Sequence, residues 1–259
     1  MGRERKANPF FQAATEDEFL ELALSDLPSY PSYYSRMSGY NVREARILGR
    51  LPTLYPLAPS EAWVRTQRDA VAIDARGLLE YASAHVPMSY CVPFGDSFGT
   101  WVGWLVDEGT PLVFVGAGSH REEMVRHMVR IGFDALEGYV DGGMDAWEDA
   151  GLPVSHLPTV SVEDLNTSMD ASGTPELLDV RFEHEWRLGR IPEARHIELG
   201  DLPIEANALD PDSSYATLCA AGVRAATAAS VLERSGMGNV SLVVGGTDAW
   251  RDAADPLES

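Results

Sequence analysis

Short apolar runs alternate with helical patterns along most of the chain. The runs that predict buried strands lie at 71–74, 90–94, 111–115, 135–140, 177–181 and 215–218. An amphipathic pattern over 121–131 and an alanine-rich stretch over 224–232 predict helices that follow two of these strands. Strands that are separated by helices form parallel sheets, so the pattern predicts an α/β fold.

The alternating pattern occurs twice. Three landmarks recur in register: Asp74 at Asp179, Pro87 at Pro192, and the Gly-Gly-x-Asp-Ala-Trp segment 142–147 at 245–250. The separations are 105, 105 and 103 residues, which is hard to obtain by chance. We therefore predict two copies of one α/β unit, at 58–154 and 155–259, each with a parallel sheet flanked by helices.

Residues 1–57 precede the repeat and are predicted to form an N-terminal arm. Thr15 followed by Glu18 is a capping-box pattern, which predicts a helix that starts near this threonine. The aromatic and proline-marked stretch 29–37 shows little periodicity, so we expect it to be largely irregular. Such a stretch either lies across another surface or packs on its own domain.

The stretch 215–232 predicts a strand, a tight loop and a helix, with Cys219 at the head of the loop. The N–H groups of residues 219–224 can converge on one point as a nest for an anion, which favours thiolate over thiol. Arg224 can close this ring and hold an anionic substrate with its planar set of donors. The alternative is that Cys219 is a buried structural cysteine, since free cysteines are among the most buried residues.

The first copy has a loop of the same length but no cysteine. Aligning the copies places Gly116 opposite Cys219 and Arg121 opposite Arg224. Chemistry that needs a nucleophilic thiolate is therefore confined to the second copy. The hydroxyl of Ser119 is a candidate nucleophile, but no residue near it in sequence is a candidate for the base that would activate it.

Composition narrows the classes of function. With 40 acidic and 20 basic residues the formal net charge is −20, which argues against a nucleic-acid or anionic-membrane partner. No apolar run approaches the ~20 residues of a membrane helix, and no signal peptide is apparent, so we expect a cytoplasmic protein. The two cysteines, Cys91 and Cys219, form no disulfide framework, and the six histidines show no metal-binding spacing. We expect no metal and no cofactor.

Several motifs around this loop resemble those of the rhodanese (sulfurtransferase) family. They are Asp179-Val180-Arg181, then Gly189-Arg190-Ile191-Pro192-Glu193-Ala194, the Cys-x4-Arg loop 219–224, and the Gly-Gly-x-Asp-Ala-Trp segment. The resemblance covers roughly residues 60–256 and implies two rhodanese-like domains, of which the first is inactive. A phosphatase or arsenate reductase on the same fold is disfavoured, because those loops commonly read Cys-x5-Arg after a histidine, and Leu218 stands here.

The resemblance also implies roles for the site residues. A Cys219 thiolate takes a sulfane sulfur as a persulfide and passes it to a thiol or cyanide acceptor. The residues implied in substrate binding are Ala220, Ala221, Gly222, Val223, Arg224 and Arg181, with Asp179 in support. Asp179 and Arg181 either orient the loop or contact substrate, or else they form a structural salt bridge.

Two departures from the family pattern concern geometry and donor. Arg190 and Glu193 replace a histidine and a glycine of the usual Gly-His-Ile-Pro-Gly-Ala segment, so we expect altered loop geometry. Ala220 and Ala221 stand where thiosulfate-specialised members carry basic residues. Both thiosulfate and a persulfide, such as glutathione persulfide, therefore remain candidate donors.

The arm resembles the segment that follows the metallo-hydrolase domain in persulfide-dioxygenase/rhodanese fusion proteins. This resemblance implies a metallo-hydrolase partner, or a longer protein of which the chain is part; a homodimer through the arm is a further alternative. The chain would then be a non-catalytic or sulfur-relay module, whose expected sign is an exposed apolar surface around Tyr30, Tyr33 and Tyr34.

Overall fold

A computed structural model describes residues 7–24, 30–31, 33–42, 49–168, 174–253 and 257. The described chain divides into two compact units, Met1–Tyr30 and Pro31–Ser259. In the first, helix α1 (Glu16–Leu24) follows a 3-10 turn at Pro9–Phe11. The N–H of Glu18 donates to Oγ1 of Thr15 at 3.2 Å, which confirms the predicted cap. The Glu18 carboxylate accepts from the N–H of Ala14, one residue earlier than a regular capping box requires.

The second unit contains two five-stranded sheets of identical topology. In the first sheet the strands are β1 (Pro56–Leu57), β2 (Val71–Asp74), β3 (Tyr90–Cys91), β4 (Leu112–Val115) and β5 (Leu136–Val140). In the second they are β6 (Thr159–Val160), β7 (Glu176–Asp179), β8 (Arg195–His196), β9 (Ser214–Leu218) and β10 (Asn239–Val243). The spatial orders are β1-β5-β4-β2-β3 and β6-β10-β9-β7-β8, and every pairing is parallel. The predicted α/β fold and its duplication are thus confirmed.

Helices connect the strands and cover both faces of each sheet. Those of the first domain are α2 (Tyr34–Val42), α3 (Pro59–Thr66), α4 (Leu78–Ser83), α5 (Phe98–Leu105), α6 (Arg121–Arg130) and α7 (Gly143–Asp149). Those of the second are α8 (Val162–Ser168), α9 (Glu183–Arg187), α10 (Leu202–Glu205), α11 (Val223–Arg234) and α12 (Gly246–Asp252). None of the helices in the described ranges has the length and apolar composition that crossing a bilayer requires.

The second half of the arm differs from the prediction. Residues from Tyr34 onward form α2 rather than an irregular segment. The helix is stabilised by packing against the rest of the domain, which its weakly periodic sequence does not reveal. Tyr33 is 6% exposed and its ring lies against Gly103 of α5, where a Cβ would meet the ring at 2.5 Å. Arg36 pairs with Glu108 at 3.2 Å. This part of the arm therefore packs on its own domain, and Tyr33 does not contribute to an exposed docking surface.

The first sheet also begins earlier than the predicted boundary at residue 58. Strand β1 pairs with β5, with Pro56 opposite Tyr139 and Leu57 opposite Val140. A two-residue edge strand carries no readable periodicity, which explains why the sequence pattern assigns it to the arm.

Each sheet has an outer core of its own and shares an inner core with the other domain. Trp147 and Trp250, both buried, anchor the outer cores of the first and second domains. The inner core joins residues of both domains, and α11 packs across β3 there. The N–H of Cys91 donates to Oγ of Ser230 at 3.0 Å, so the contact includes a buried hydrogen bond between domains. The helix that follows Cys219 is thus seated on the first domain.

Candidate active site

The Cys219 loop joins a buried strand to a long helix. β9 ends at Leu218, Cys219 follows with 2% of its surface exposed, and α11 begins at Val223. Gly222 has a φ of +100°, which a residue with a Cβ adopts only under strain, so glycine permits the sharp turn. The N–H of Gly222 donates to Sγ of Cys219 at 3.1 Å. The loop therefore directs at least one backbone donor at the sulfur.

The loop carbonyls bind the start of helix α12. The C=O groups of Cys219 and Ala220 accept from the N–H groups of Thr247 and Asp248 at 2.9 and 3.0 Å. In a trans peptide the C=O and the following N–H point in opposite directions, and the structure has no cis peptide bond among the described residues. The N–H groups of Ala220 and Ala221 therefore point away from α12, as the predicted nest requires.

The Gly-Gly landmark is explained by this contact. Gly246 has a φ of +57°, and a Cβ on it would overlap the carbonyl oxygen of Cys219. Its counterpart Gly143 has a similar φ of +65°, but a Cβ on that residue would meet nothing within 4 Å. Only in the second domain does the glycine pair let the backbone approach a cysteine loop.

Arg224 is held by a carboxylate that sequence reasoning missed. Its Nη1 and Nη2 donate to the two carboxylate oxygens of Glu185 at 2.6 and 2.8 Å, and its guanidinium lies 5.3 Å from the Phe182 ring centre. These hydrogen bonds hold the pKa of Glu185 below its ordinary value, although partial burial opposes the shift. Burial would lower the pKa of Arg224, but Glu185 and the nearby Cys219 sulfur raise it.

Asp179 and Arg181 form a buried ion pair at the end of β7. Arg181 donates to both carboxylate oxygens of Asp179 at 2.6 to 2.9 Å and to the carbonyl of Gly189 at 2.8 Å. The first domain repeats the pair with Asp74 and Arg76. Since it recurs in the copy without a cysteine, the pair stabilises the turn after the strand. A contact of Arg181 with substrate stays a prediction.

Comparison with known proteins identifies the family of the chain. The family model "Rhodanese-like domain" matches residues 58–150 and 161–253. The chain belongs to the rhodanese-like domain family. Outside that match, the resemblance of the arm to persulfide-dioxygenase fusions remains a prediction.

Two curated relatives of Bacillus subtilis (strain 168) are similar to this chain. One, named "Putative sulfurtransferase YtwF", is 34% identical over 100 residues, which are 39% of this chain and 96% of that protein. The other, "Putative sulfur carrier protein YrkF", is 30% identical over 128 residues, which are 49% of this chain and 62% of that protein.

Among solved structures, a rhodanese-like domain protein from Staphylococcus aureus is 30% identical with a TM-score of 0.36. The match covers 39% of this chain and 97% of that one. Thiosulfate sulfurtransferase from Pseudomonas aeruginosa is 20% identical with a TM-score of 0.34, over 79% of this chain and 43% of that one.

The loop of the first rhodanese domain has a different conformation. Residues Gly118–His120 form a 3-10 turn, and Nη1 of Arg121 donates to the hydroxyl of Tyr139 at 2.8 Å. Among the ion pairs of the described residues, none involves Arg121. The described part of this rhodanese also holds no group of three metal-ligating side chains.

A cleft between the rhodanese domains lies beside Arg224. Its volume is about 510 Å³. The first domain lines it with Phe94, Trp101 and Trp104, and the second with Phe182, Val223 and Arg224. Trp101 stacks on Phe182 with ring centres 6.4 Å apart. No sequence pattern pointed to this aromatic cleft, because its walls come from three segments that are far apart in the chain, at 92–104, 182 and 223–227.

Cys91, the other cysteine of this rhodanese, is completely buried in β3. Burial, together with the charges of Asp74 and Glu233, raises the pKa of its thiol well above the ordinary value. It is therefore held as a thiol, which is consistent with a structural role.

Proposed function

We propose that this rhodanese is a sulfurtransferase that carries a sulfane sulfur on Cys219. The observation that supports it most is the backbone loop around the Cys219 sulfur, with the Gly222 N–H 3.1 Å from it. Donors arranged in this way stabilise a sulfur anion without a proton transfer at the moment of reaction. Sulfurtransferase activity would then be confined to the second domain.

In the first half-reaction the Cys219 thiolate attacks the outer sulfur of the donor. A new S–S bond forms on Cys219, and the bond between that sulfur and the donor breaks. The leaving group, sulfite from thiosulfate or a thiolate from an organic persulfide, departs with the electron pair. Cys219 is left as a persulfide.

In the second half-reaction an acceptor thiolate or cyanide attacks the terminal sulfur of that persulfide. The S–S bond breaks, its electron pair returns to Cys219 as thiolate, and the acceptor leaves as a persulfide or as thiocyanate. The N–H groups of residues 220–222 would hold the terminal sulfur between the two steps. Arg224 lies close enough for the charge of Cys219 to raise the pKa of its guanidinium.

Sulfur loading tests the proposal directly. The protein is incubated with thiosulfate or with glutathione persulfide, and its intact mass and turnover are compared with those of Cys219→Ser. We expect a one-sulfur adduct on the wild-type chain, its absence in the variant, and turnover with at least one donor. If neither donor gave an adduct or turnover, the sulfurtransferase proposal would be wrong.

A further inference from the structure

Both arginines assigned to donor binding are already paired with carboxylates. Arg181 is buried against Asp179, and Arg224 makes two hydrogen bonds to Glu185. A bidentate pair of this kind uses the donors that would otherwise bind an anion. The loop residues Ala220 and Ala221 add no charge. The charge that the arginines offer to an incoming donor is therefore compensated.

The pairing of Arg224 is specific to the domain that has the cysteine. Glu80 stands in the first domain where Glu185 stands in the second, and each accepts from a backbone N–H three residues before it, Gly77 or Phe182. Among the described contacts, however, Glu80 forms no ion pair with Arg121, the counterpart of Arg224. Glu80 caps its helix without an ion pair to an arginine of the loop, so capping alone does not explain why Glu185 pairs with Arg224. We attribute the pair of Glu185 and Arg224 to the reaction at Cys219.

The two donor classes place charge differently. In thiosulfate the transferred sulfur is bonded to a sulfonate, so the leaving sulfite carries its charge next to the reacting atom. In an organic persulfide that neighbour is a sulfur on a carbon chain, which leaves as a thiolate with one negative charge, whereas thiosulfate and sulfite each carry two. Bringing a dianion to a loop whose cation is compensated costs desolvation that is not recovered.

The cleft beside the loop favours an organic carrier. It shares Arg224 and Val223 with the start of α11, and Phe94, Trp101, Trp104 and Phe182 supply aromatic walls. A volume of about 510 Å³ lies in the range of small-molecule sites. Aromatic walls bury apolar carbon and offer little to a small inorganic anion.

We propose that Glu185 is a specificity-determining residue that disfavours thiosulfate and selects an organic persulfide as the donor. This inference rests on the proposed sulfurtransferase function and names its substrate class. By compensating Arg224, Glu185 leaves the backbone nest to receive a sulfur whose carrier lies in the aromatic cleft.

The test compares Glu185→Gln with the wild type, using kcat/KM for thiosulfate and for glutathione persulfide. Glutamine keeps an acceptor for the Phe182 N–H but removes the charge opposite Arg224. We expect kcat/KM for thiosulfate to rise by roughly tenfold or more, with that for the persulfide changed by less than about threefold. Glu183→Gln is the matched control, since Glu183 lies on the same helix but pairs with Arg187 and His196. It should leave the donor ratio unchanged.

Four other results would contradict the proposal, and a fifth would contradict the proposed function. Selection by Glu185 would be wrong if Glu185→Gln used both donors with an unchanged ratio of their kcat/KM values. It would also be wrong if Glu183→Gln changed that ratio by the same amount. Loss of turnover with both donors in a variant that keeps its circular dichroism spectrum would overturn it as well. A wild type that uses thiosulfate as well as the persulfide would overturn it without any variant. Absence of a Cys219 adduct with either donor would instead overturn the proposed function itself.

Discussion

At the scale of single residues, the two cysteines have opposite surroundings. Cys219 has the N–H of Gly222 at its sulfur and Arg224 nearby, whereas Cys91 is completely buried and the carboxylates of Asp74 and Glu233 raise the pKa of its thiol against the opposing charge of Arg76. Since the thiolate is the reactive form, burial alone does not decide reactivity. Both sulfurs are buried, and for Cys91 burial is the largest cause of the raised pKa.

Alkylation should therefore distinguish the cysteines. We expect iodoacetamide at neutral pH to add one group to the native protein, on Cys219, because the raised pKa keeps Cys91 as an unreactive thiol. Intact mass and peptide mapping measure this. Native Cys219→Ser should take up no label, and the unfolded wild type should take up two; preferential labelling of Cys91 would contradict the argument.

A second prediction concerns the ion pair of Glu185 and Arg224. Because the pKa of Glu185 is lowered in the folded state, the pair stabilises the protein above the unfolded pKa of the carboxyl, and this is lost as pH falls through the folded pKa. Urea unfolding at several pH values should show a stability difference between wild type and Glu185→Gln that is constant from about pH 6 to 8 and shrinks below about pH 4.5. A difference that grew on acidification would contradict the sign.

At the scale of elements, the start of α12 supports the cysteine loop. Gly246 lets the helix N-terminus approach the carbonyl of Cys219, and Thr247 and Asp248 bind the loop carbonyls. The orientation of the nest thus depends on a helix more than twenty residues further along the chain.

Paired glycine substitutions test this dependence. Gly246→Ala should lower kcat/KM by roughly a hundredfold or more, because the new Cβ displaces the Cys219 carbonyl and with it the adjacent N–H groups. Gly143→Ala introduces a similar positive-φ strain of about 1 kcal/mol in the other domain and should reduce stability alone. Sulfur transfer and urea unfolding of both variants are the measurements. Equal activity in the two would show that the loop does not need this contact.

Elements with strong local patterns could be predicted from the sequence. Most of the buried strands, the cysteine loop and the duplication followed from apolar runs and from landmarks such as Asp74 and Asp179, but the buried strand β10 was missed. Helix α2 could not be foreseen, because Tyr33 and Arg36 hold it through contacts with α5 and Glu108. The partner of Arg224 was equally hidden, since Glu185 lies 39 residues away and its own pattern indicates only a helix start.

At the scale of the whole molecule, the two domains share an inner core. α11 carries Arg224 at its first turn and Ser230, Glu233 and Arg234 near its end, where they contact Cys91, His85 and Met88 of the first domain. A helix is stiff over such a length, so the first domain fixes the helix that follows the loop.

Cooperative unfolding of both domains follows from the shared core. Ser230→Ala leaves the buried N–H of Cys91 without its acceptor, and we expect a loss of about 1–3 kcal/mol in unfolding free energy. Hydrogen exchange should show the loss equally in β2 and β9. Ser241→Ala, a half-buried serine whose hydroxyl bonds within the second sheet, serves as the control with a smaller effect. A loss confined to β9 would mean that the domains unfold separately.

Phe94, Trp101 and Trp104, which form most of the aromatic wall of the cleft, belong to the domain that lacks the cysteine. Substitutions at Phe94 or Trp101 therefore fall outside the polypeptide segment that shapes the Cys219 loop. A directed-evolution library confined to residues 92–104 could change which carrier molecules fit while the reacting sulfur keeps its own surroundings. Because of the duplication, the choice of carrier and the surroundings of the reacting sulfur can be mutated separately. The protein is therefore a scaffold in which one domain can be altered at a time.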